Sequence, residues 1–352
     1  MTYMPSCEVD VSRCDISEIG AVVIGRNEGE RLLRCIGSLT GKVATIIYVD
    51  SASTDGSAAI AQDHGAHVVE LKADLPLTAA RGRQAGFELL RQRMPDCRYV
   101  QFVDGDCIIQ DGWLDAASAF LDGKPDAAVV CGRRFEAFPA ASFYNRLIDK
   151  EWDTPLGQVS ACGGDSLMRA SALREAGSFR GELLAGEEPE VCTRLASMGW
   201  TIWRIDARMT EHDAKIDRLS QWLRRARRGG AGYAQVWSIT RKIKRPLYGR
   251  QMTSALLWVV GVPIASVVLA LSTRQWAMLA LFPILWCVQI MRIATRRSSS
   301  EAFGSRLKVG AIVMLTKFAE AVGILSFLAG MKRQETTYRG DEDSLSVSSG
   351  SA

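Results

Sequence analysis

Several protein classes are excluded by what the 352-residue chain lacks. Its nine cysteines run from Cys7 to Cys287 with no C-x-x-C pair. An odd, unpatterned set in a long chain fits reduced thiols in a cytosolic compartment, not a disulfide framework. Neither sign of charge prevails, with 43 Lys and Arg against 39 Asp and Glu and a net charge of +4. That balance carries no nucleic-acid footprint, so any basic function is local. The opening MTYMPSCEVDVSRCD has no apolar core, and no secretory signal is expected. There is no internal repeat and no G-x-x-x-x-G-K-[ST]. The turn GRNEGE after the first apolar run is not G-x-G-x-x-G, which argues against a P-loop NTPase and a dinucleotide dehydrogenase. The stretch DGDCIIQDG fails the calcium-loop pattern, because Ile108 occupies the third ligand position.

What is present divides the chain in two. Up to about residue 217, short β-like runs (IGAVVI, ATIIYVD, HVVEL, RYVQFVD) alternate with helix-like segments of ten to fifteen residues. This predicts a mostly parallel α/β sheet flanked by helices, with ligands beyond the carboxyl ends of its strands. Ser53 or Thr54 is placed to cap the helix after the second run. Asp50 and Asp104 both close such runs, as a shared site requires. The run YVQFVD ends on Asp104-Gly105-Asp106, two like charges one residue apart that each resist losing water. One reading is a solvated Asp-Gly turn. The other is a divalent cation, neutralising the pair and bridging nucleotide phosphates.

The composition changes after about residue 250. Residues 254–272, SALLWVVGVPIASVVLALS, carry no charge, and as a helix would reach about 28 Å at 1.5 Å per residue. A bilayer core is roughly 30 Å thick. After Thr-Arg-Gln, WAMLALFPILWCVQIM follows, which predicts a membrane hairpin over 251–295. RKIKRPLYGR before the first span and RIATRRSSSEAFGSRLK after the second put both flanks, and the N-terminal domain, on the cytoplasmic side. A third apolar helix is expected over 307–331. Lys317 and Glu320, three apart, pair on one of its faces, which favours an interfacial or hairpin-packed helix over a lone span. A tail over 1–16 and a polar, Ser-rich, disordered tail over 334–352 complete the division.

Five stretches in order resemble the family 2 glycosyltransferases, which have a GT-A-type nucleotide-sugar domain. They are VVIGRNEGERL, IIYVDSASTDGS, VDGD, CGGDSLMRASALREAGSF and GEEPEVCTRLASMGW, between about residues 19 and 212. Bacterial members anchored by C-terminal helices are similar to the whole chain. The resemblance implies a GT-A-type catalytic domain over 17–217 and a basic juxtamembrane segment over 218–250. It implies that Asp50 holds the nucleobase, that Asn27 and Glu28 line the nucleoside pocket, and that Arg81, Arg83 and Asp104 serve nucleotide-sugar binding. Asp106 would ligate Mg²⁺ or Mn²⁺, and Gly163, Gly164 and Asp165 would lie on the acceptor side. Gln84 stands where the family has Asn.

The family's general base is commonly the Asp of Glu-Asp, and that place here holds Glu188. Its carboxylate can take a proton from an acceptor hydroxyl, and a helix N-terminus would favour its ionised form. Glu187 is the second choice, and a helix-capping acidic cluster is the reading without chemistry. His212 either completes the metal site or is a loop histidine. QWLRRARR resembles the Q-x-x-R-W motif of processive synthases, with Arg225 in place of Trp. Gln221, Arg224 and Arg225 would then meet a diphosphate, or the segment contacts anionic lipids. Together these readings imply an inverting, metal-dependent transfer of a hexosyl-type sugar from a nucleotide-diphosphate sugar. The acceptor would be a membrane-associated, lipid-linked hydroxyl in exopolysaccharide or surface-glycan synthesis at the bacterial inner membrane. The alternatives are a processive polysaccharide synthase and a non-catalytic nucleotide-sugar-binding subunit.

Overall fold

The structure, a computed structural model, describes residues 15–243, 246–296 and 302–330. The predicted 334–352 tail and all but the end of the 1–16 tail lie outside the described residues. The N-terminal part alternates as its sequence predicts. In chain order the elements are β1 (Ile19–Gly25), α1 (Glu30–Leu39), β2 (Thr45–Asp50), α2 (Ser57–Asp63), β3 (His67–Glu70), α3 (Ala79–Arg93) and β4 (Tyr99–Asp104). After these come β5 (Cys107–Ile109), α4 (Trp113–Gly123), β6 (Ala127–Glu136), α5 (Phe143–Trp152), β7 (Gly157–Val159), β8 (Ser166–Arg169) and α6 (Ala170–Glu175). The last are α7 (Glu187–Ser197), β9 (Thr201–His212) and α8 (Leu219–Thr240).

The sheet runs β3-β2-β1-β4-β8-β6-β9-β5, with β7 on β9. Strands β1–β4 are mutually parallel, β8 runs against β4 and β6, and β9 lies parallel to β6. β1 is buried along its whole length, as continuous apolar runs require when helices cover both faces of a sheet. Because β8 runs against β4 and β6, its N-terminal end lies at the same edge as the carboxyl ends of β1, β2, β4, β6 and β9. The Gly163–Asp165 segment thereby reaches the same edge as Asp50, Asp104 and His212.

The capping expectation at Ser53 and Thr54 is corrected. α2 starts later, behind Gly56, and Asp55 accepts from the amide and hydroxyl of Ser57. Ser53 and Thr54 instead hold the β1 turn: Asn27 N donates to Ser53 Oγ (2.9 Å) and Thr54 N donates to Asn27 Oδ1 (2.8 Å). Asn27 itself has φ 54°, a left-handed conformation that asparagine tolerates.

Beyond α8, three helices are long and apolar enough to cross a membrane: Gly249–Thr273, Trp276–Arg296 and Phe303–Leu328. Leu257, Val268, Leu271, Ile284 and Val288 are more than half exposed on the first two, an apolar surface that a soluble protein does not leave open. The first helix opens into a π turn over Leu257–Gly261, just before Pro263, whose missing N–H denies the carbonyl of Val259 its usual partner. The third helix forms the expected Lys317–Glu320 pair at 2.7 Å. It crosses α8 at near backbone contact: a Cβ on Gly230 would run into Glu320 O, and one on Gly323 into Arg227 O. Its first half also packs against α5 and the chain after β9, through Val309, Ile312, Leu147, Ile148 and Trp222. The third helix thus meets the length and composition of a span and is also fastened to the N-terminal domain.

Candidate active site

At the carboxyl end of β4 the chain turns at once, with Gly105 N donating to Ile24 O (2.8 Å). A Cβ at Gly105 would lie 3.2 Å from Ile24 O and from Glu28 Cγ, so close packing onto the β1 turn favours glycine there. Asp104 and Asp106 take different partners across this turn. Asp104 is held by Arg83 of α3 (2.9 Å) and Arg134 of β6 (3.1 Å). Asp106 Oδ2 lies 3.1 Å from His212 Nε2, and both residues are buried. His212 Nδ1 in turn faces Glu136 Oε2 at 3.7 Å, and the ring is packed edge-on by Trp152.

Arg83 is the hub. The same guanidinium that reaches Asp104 donates to Glu187 (2.6 Å) and lies 3.2 Å from Glu188, both in the first turn of α7. Gly164 makes this approach possible, since a Cβ there would come within 2.6 Å of Arg83 Nη2 and 3.2 Å of Asp104 Oδ2. Pro189 sits in that first turn, where no intrahelical N–H is needed. Four carboxyl groups, those of Asp104, Asp165, Glu187 and Glu188, thus share Arg83 and Arg134, leaving negative charge in excess around them, while Asp106 faces His212. Burial, then Glu187, push the Glu188 carboxyl up to about 7, against the pull of Arg83. The helix N-terminus does not hold Glu188 at the low pKa that its position alone suggested, because burial beside a second carboxylate outweighs it.

A cation fits this charge balance. The ligand atoms of Asp106, Cys107 and His212 lie within 4.8 Å of one another, as do those of Asp104, Cys107 and Asp165. Burial pushes the Cys107 thiol well up, and Mn²⁺ prefers oxygen and nitrogen donors to thiolate. The usable donors are a carboxylate and an imidazole, which suit Mn²⁺ or a similar ion.

Other residues singled out in the sequence take quieter places. Asp50, almost fully buried, accepts from Ser53 N (2.7 Å) and Tyr48 Oη (3.0 Å). Glu28 is buried against Arg31 (2.9 Å). Arg81 donates to the carbonyls of Lys72 and Leu75 and lies 3.8 Å from Asp74, bracing the loop before α3. Asp165, expected on the acceptor side, is 0% exposed; it accepts from Asp104 N and Thr210 Oγ1, and so positions Asp104. Gly163 has open space where a Cβ would stand. Gln221 Oε1 accepts from the amides of Asp217 and Arg218, fixing the start of α8, while Arg225 pairs with Glu151 at 3.3 Å and Arg224 is exposed. Sequence reasoning missed Arg134 and Glu136. Their signal was present: β6 is an apolar run, AAVVCG, that ends in charged residues as β4 does.

Residues 21–172 match the family described as glycosyl transferase family 2. Among solved structures, the chain is similar to the mannosyltransferase PcManGT from Pyrobaculum calidifontis, solved in complex with GDP-Man and Mn²⁺. Identity is 17% over 90% of this chain and 88% of that one, with a TM-score of 0.55, a likeness of fold. Residues 1–349 of S. aureus TarS, in complex with UDP-GlcNAc, align at 14% identity over 89% of this chain and 92% of that one, with a TM-score of 0.48. No curated protein matches the chain. With a family 2 domain built on the GT-A fold at the carboxyl ends of its strands, the chain is a glycosyltransferase.

Proposed function

We propose that the protein is an inverting, metal-dependent transferase that moves one sugar from a nucleotide-diphosphate sugar to a hydroxyl on a membrane-associated, lipid-linked acceptor. The observation that carries this reading is the excess of carboxylates around Arg83, with Asp106 and His212 on one side and Glu188 on the other. Asn27, Glu28 and Asp50 border the nucleoside end, where the β1 and β2 turns are tied together. Arg83 and Asp104 border the sugar, and Gly163 and Gly164 the acceptor. Asp106 and His212 would hold the cation, which when bound supplies positive charge to the departing diphosphate.

Glu188 takes the proton of the acceptor hydroxyl as that oxygen forms its bond to the anomeric carbon and the bond to the diphosphate breaks. A single displacement of this kind inverts the anomeric centre. Its raised pKa suits the task, because a base near neutrality is both ionised and strong enough to accept the proton. Glu187 is committed to Arg83 by the shorter contact, which favours Glu188. The three apolar helices support a membrane anchor. Arg241 and Lys242 before the first helix, Arg250 in its first turn, Arg296 at the end of the second and Arg306 and Lys308 at the start of the third support a catalytic domain on the cytoplasmic face. Such an anchor is expected to place the domain beside a bilayer acceptor for exopolysaccharide or surface-glycan synthesis, with the basic face of α8 meeting anionic headgroups.

The test is nucleoside diphosphate release by the detergent-purified protein from a panel of sugar donors with total membrane lipid, with Mn²⁺ or Mg²⁺ against EDTA. Release with one donor that needs both lipid and metal is expected. Release from every donor without lipid, unaffected by EDTA, would contradict the proposal.

A further inference from the structure

The base-bearing helix α7 is not held by the catalytic sheet alone. The loop before it, residues 182–186, is gripped from the membrane side. Leu184 N donates to Gln235 Oε1 (2.9 Å), and Gln235 Nε2 donates to Glu182 O (2.8 Å), so one α8 side chain closes both backbone groups. Gly232 of α8 lets Ala185 come close: a Cβ there would lie 2.7 Å from Ala185 Cβ. Leu183 and Val236 are fully buried together with Ala80 of α3.

The final contact comes from Tyr248, the residue immediately before the first apolar helix. Its φ is 61°, a left-handed conformation that is unusual for an aromatic residue. Tyr248 stacks on Tyr233 of α8 with ring centroids 4.6 Å apart. Its ring edge and hydroxyl lie 3.1 Å from where a Cβ on Gly186 would stand. Gly186 is the residue that starts α7, with φ 85°, so a side chain there would meet both an unfavourable conformation and a tight contact with Tyr248. Burial first, and then Glu188, push the Tyr248 hydroxyl pKa up, which places the ring in the electrostatic reach of the base. Tyr248 O meanwhile accepts from Met252 N in the first turn of the apolar helix. One strained residue therefore touches the start of the base helix and starts the first membrane-length helix.

We propose that Tyr248 is a positioning residue for Glu188, latching the first apolar helix to the N-terminus of α7. The proposal rests on the reading of Glu188 as base. The latch works by packing, through the ring on Gly186 and Tyr233, and needs no hydroxyl chemistry. It ties the orientation of the base to the seating of the membrane helices, so the two parts of the chain act as one unit.

The experiment compares wild type with Tyr248→Ala, Tyr248→Phe and Glu188→Gln in detergent micelles. Hydrogen exchange is read over residues 182–195, with β1 as internal control. Turnover is measured with whichever panel donor the wild type uses, and binding of UDP and GDP with Mn²⁺ is measured separately. Tyr248→Ala is expected to speed exchange over 182–195 but not in β1, and to lower kcat at least tenfold with nucleotide affinity within twofold. Tyr248→Phe, which keeps the ring, is expected to stay within threefold of wild type in kcat. Wild-type exchange and kcat in Tyr248→Ala, with Glu188→Gln inactive, would overturn the latch and leave the base reading standing. Wild-type turnover in Glu188→Gln would overturn the base reading itself, and faster exchange in Tyr248→Ala would then mark a structural contact only. Loss of nucleotide binding and faster exchange in β1 by Tyr248→Ala would overturn the latch, since the residue would then support the whole fold.

Discussion

The two halves of the sheet edge keep their polar groups differently. At the β1–β2 side, Asn27, Asp50, Ser53, Thr54 and Asp55 are matched to backbone amides and hydroxyls of the same two turns. At the β4–β8–α7 side, Asp104, Asp106, Glu187 and Glu188 lean on the shared cations Arg83 and Arg134 and on His212. The first arrangement matches its carboxylates without a cation, and it can shape a pocket without any bound charge. The second holds carboxylates in excess in a buried place, which costs free energy unless a cation or a substrate redistributes the charge. A region that satisfies itself gives shape, whereas one left short of positive charge is where chemistry is expected.

The largest expected break in this comparison is Glu188→Gln. It should lower turnover by roughly 10²–10⁴-fold, the range of a general base, with nucleotide affinity unchanged; comparing steady-state rates with UDP and GDP binding checks both. Glu136→Gln comes next. Behind His212 it would act as an outer partner of the cation seat, and such partners typically cost about 10–100-fold in metal affinity, readable from the Mn²⁺ dependence of turnover. Gly164→Ala drives a Cβ onto Arg83 and should cost roughly 1–3 kcal/mol by overpacking, visible as a lower unfolding midpoint. On the self-satisfied side, Asp50→Asn should cost a similar roughly 1–3 kcal/mol through its bonds to Ser53 and Tyr48, yet leave the Mn²⁺ dependence where it was.

A further expected effect is one of pH. The Glu188 carboxyl rises from 4.5 to about 7 on folding, so the folded state binds its proton more tightly. Its contribution to stability is therefore complete below about pH 4.5 and is lost as pH rises towards 7. Activity runs the other way: kcat/KM should climb with pH to a midpoint near 7 and level off above it, and a flat profile from pH 5 to 8 would remove Glu188 from that role.

Much of this was legible in the sequence because strands that end in charge stand out against buried runs. YVQFVDGD and TIIYVD announced the edge, and the charge-free 254–272 segment announced the apolar helices. What stayed hidden was set by long-range pairing. Nothing in the spacing of Arg83, 21 residues before Asp104 and 104 before Glu187, shows that one guanidinium serves both. Asp165 looked available beside two glycines, but the reversed strand β8 turns it inward onto Thr210. The packing of the third helix onto α8 depended on Gly230 and Gly323, whose separation in sequence gives no hint of contact.

The most direct test of the account is Mn²⁺ binding, counted by electron paramagnetic resonance with UDP or GDP present, in wild type and in Asp106→Asn. A nucleotide-dependent Mn²⁺ site is expected in wild type, weakened in Asp106→Asn by more than the roughly 10–100-fold typical of changes to groups that only support a ligand. Equal Mn²⁺ binding by both proteins would contradict it, and the carboxylates around Arg83 would then be an ion-pair network without a cation seat.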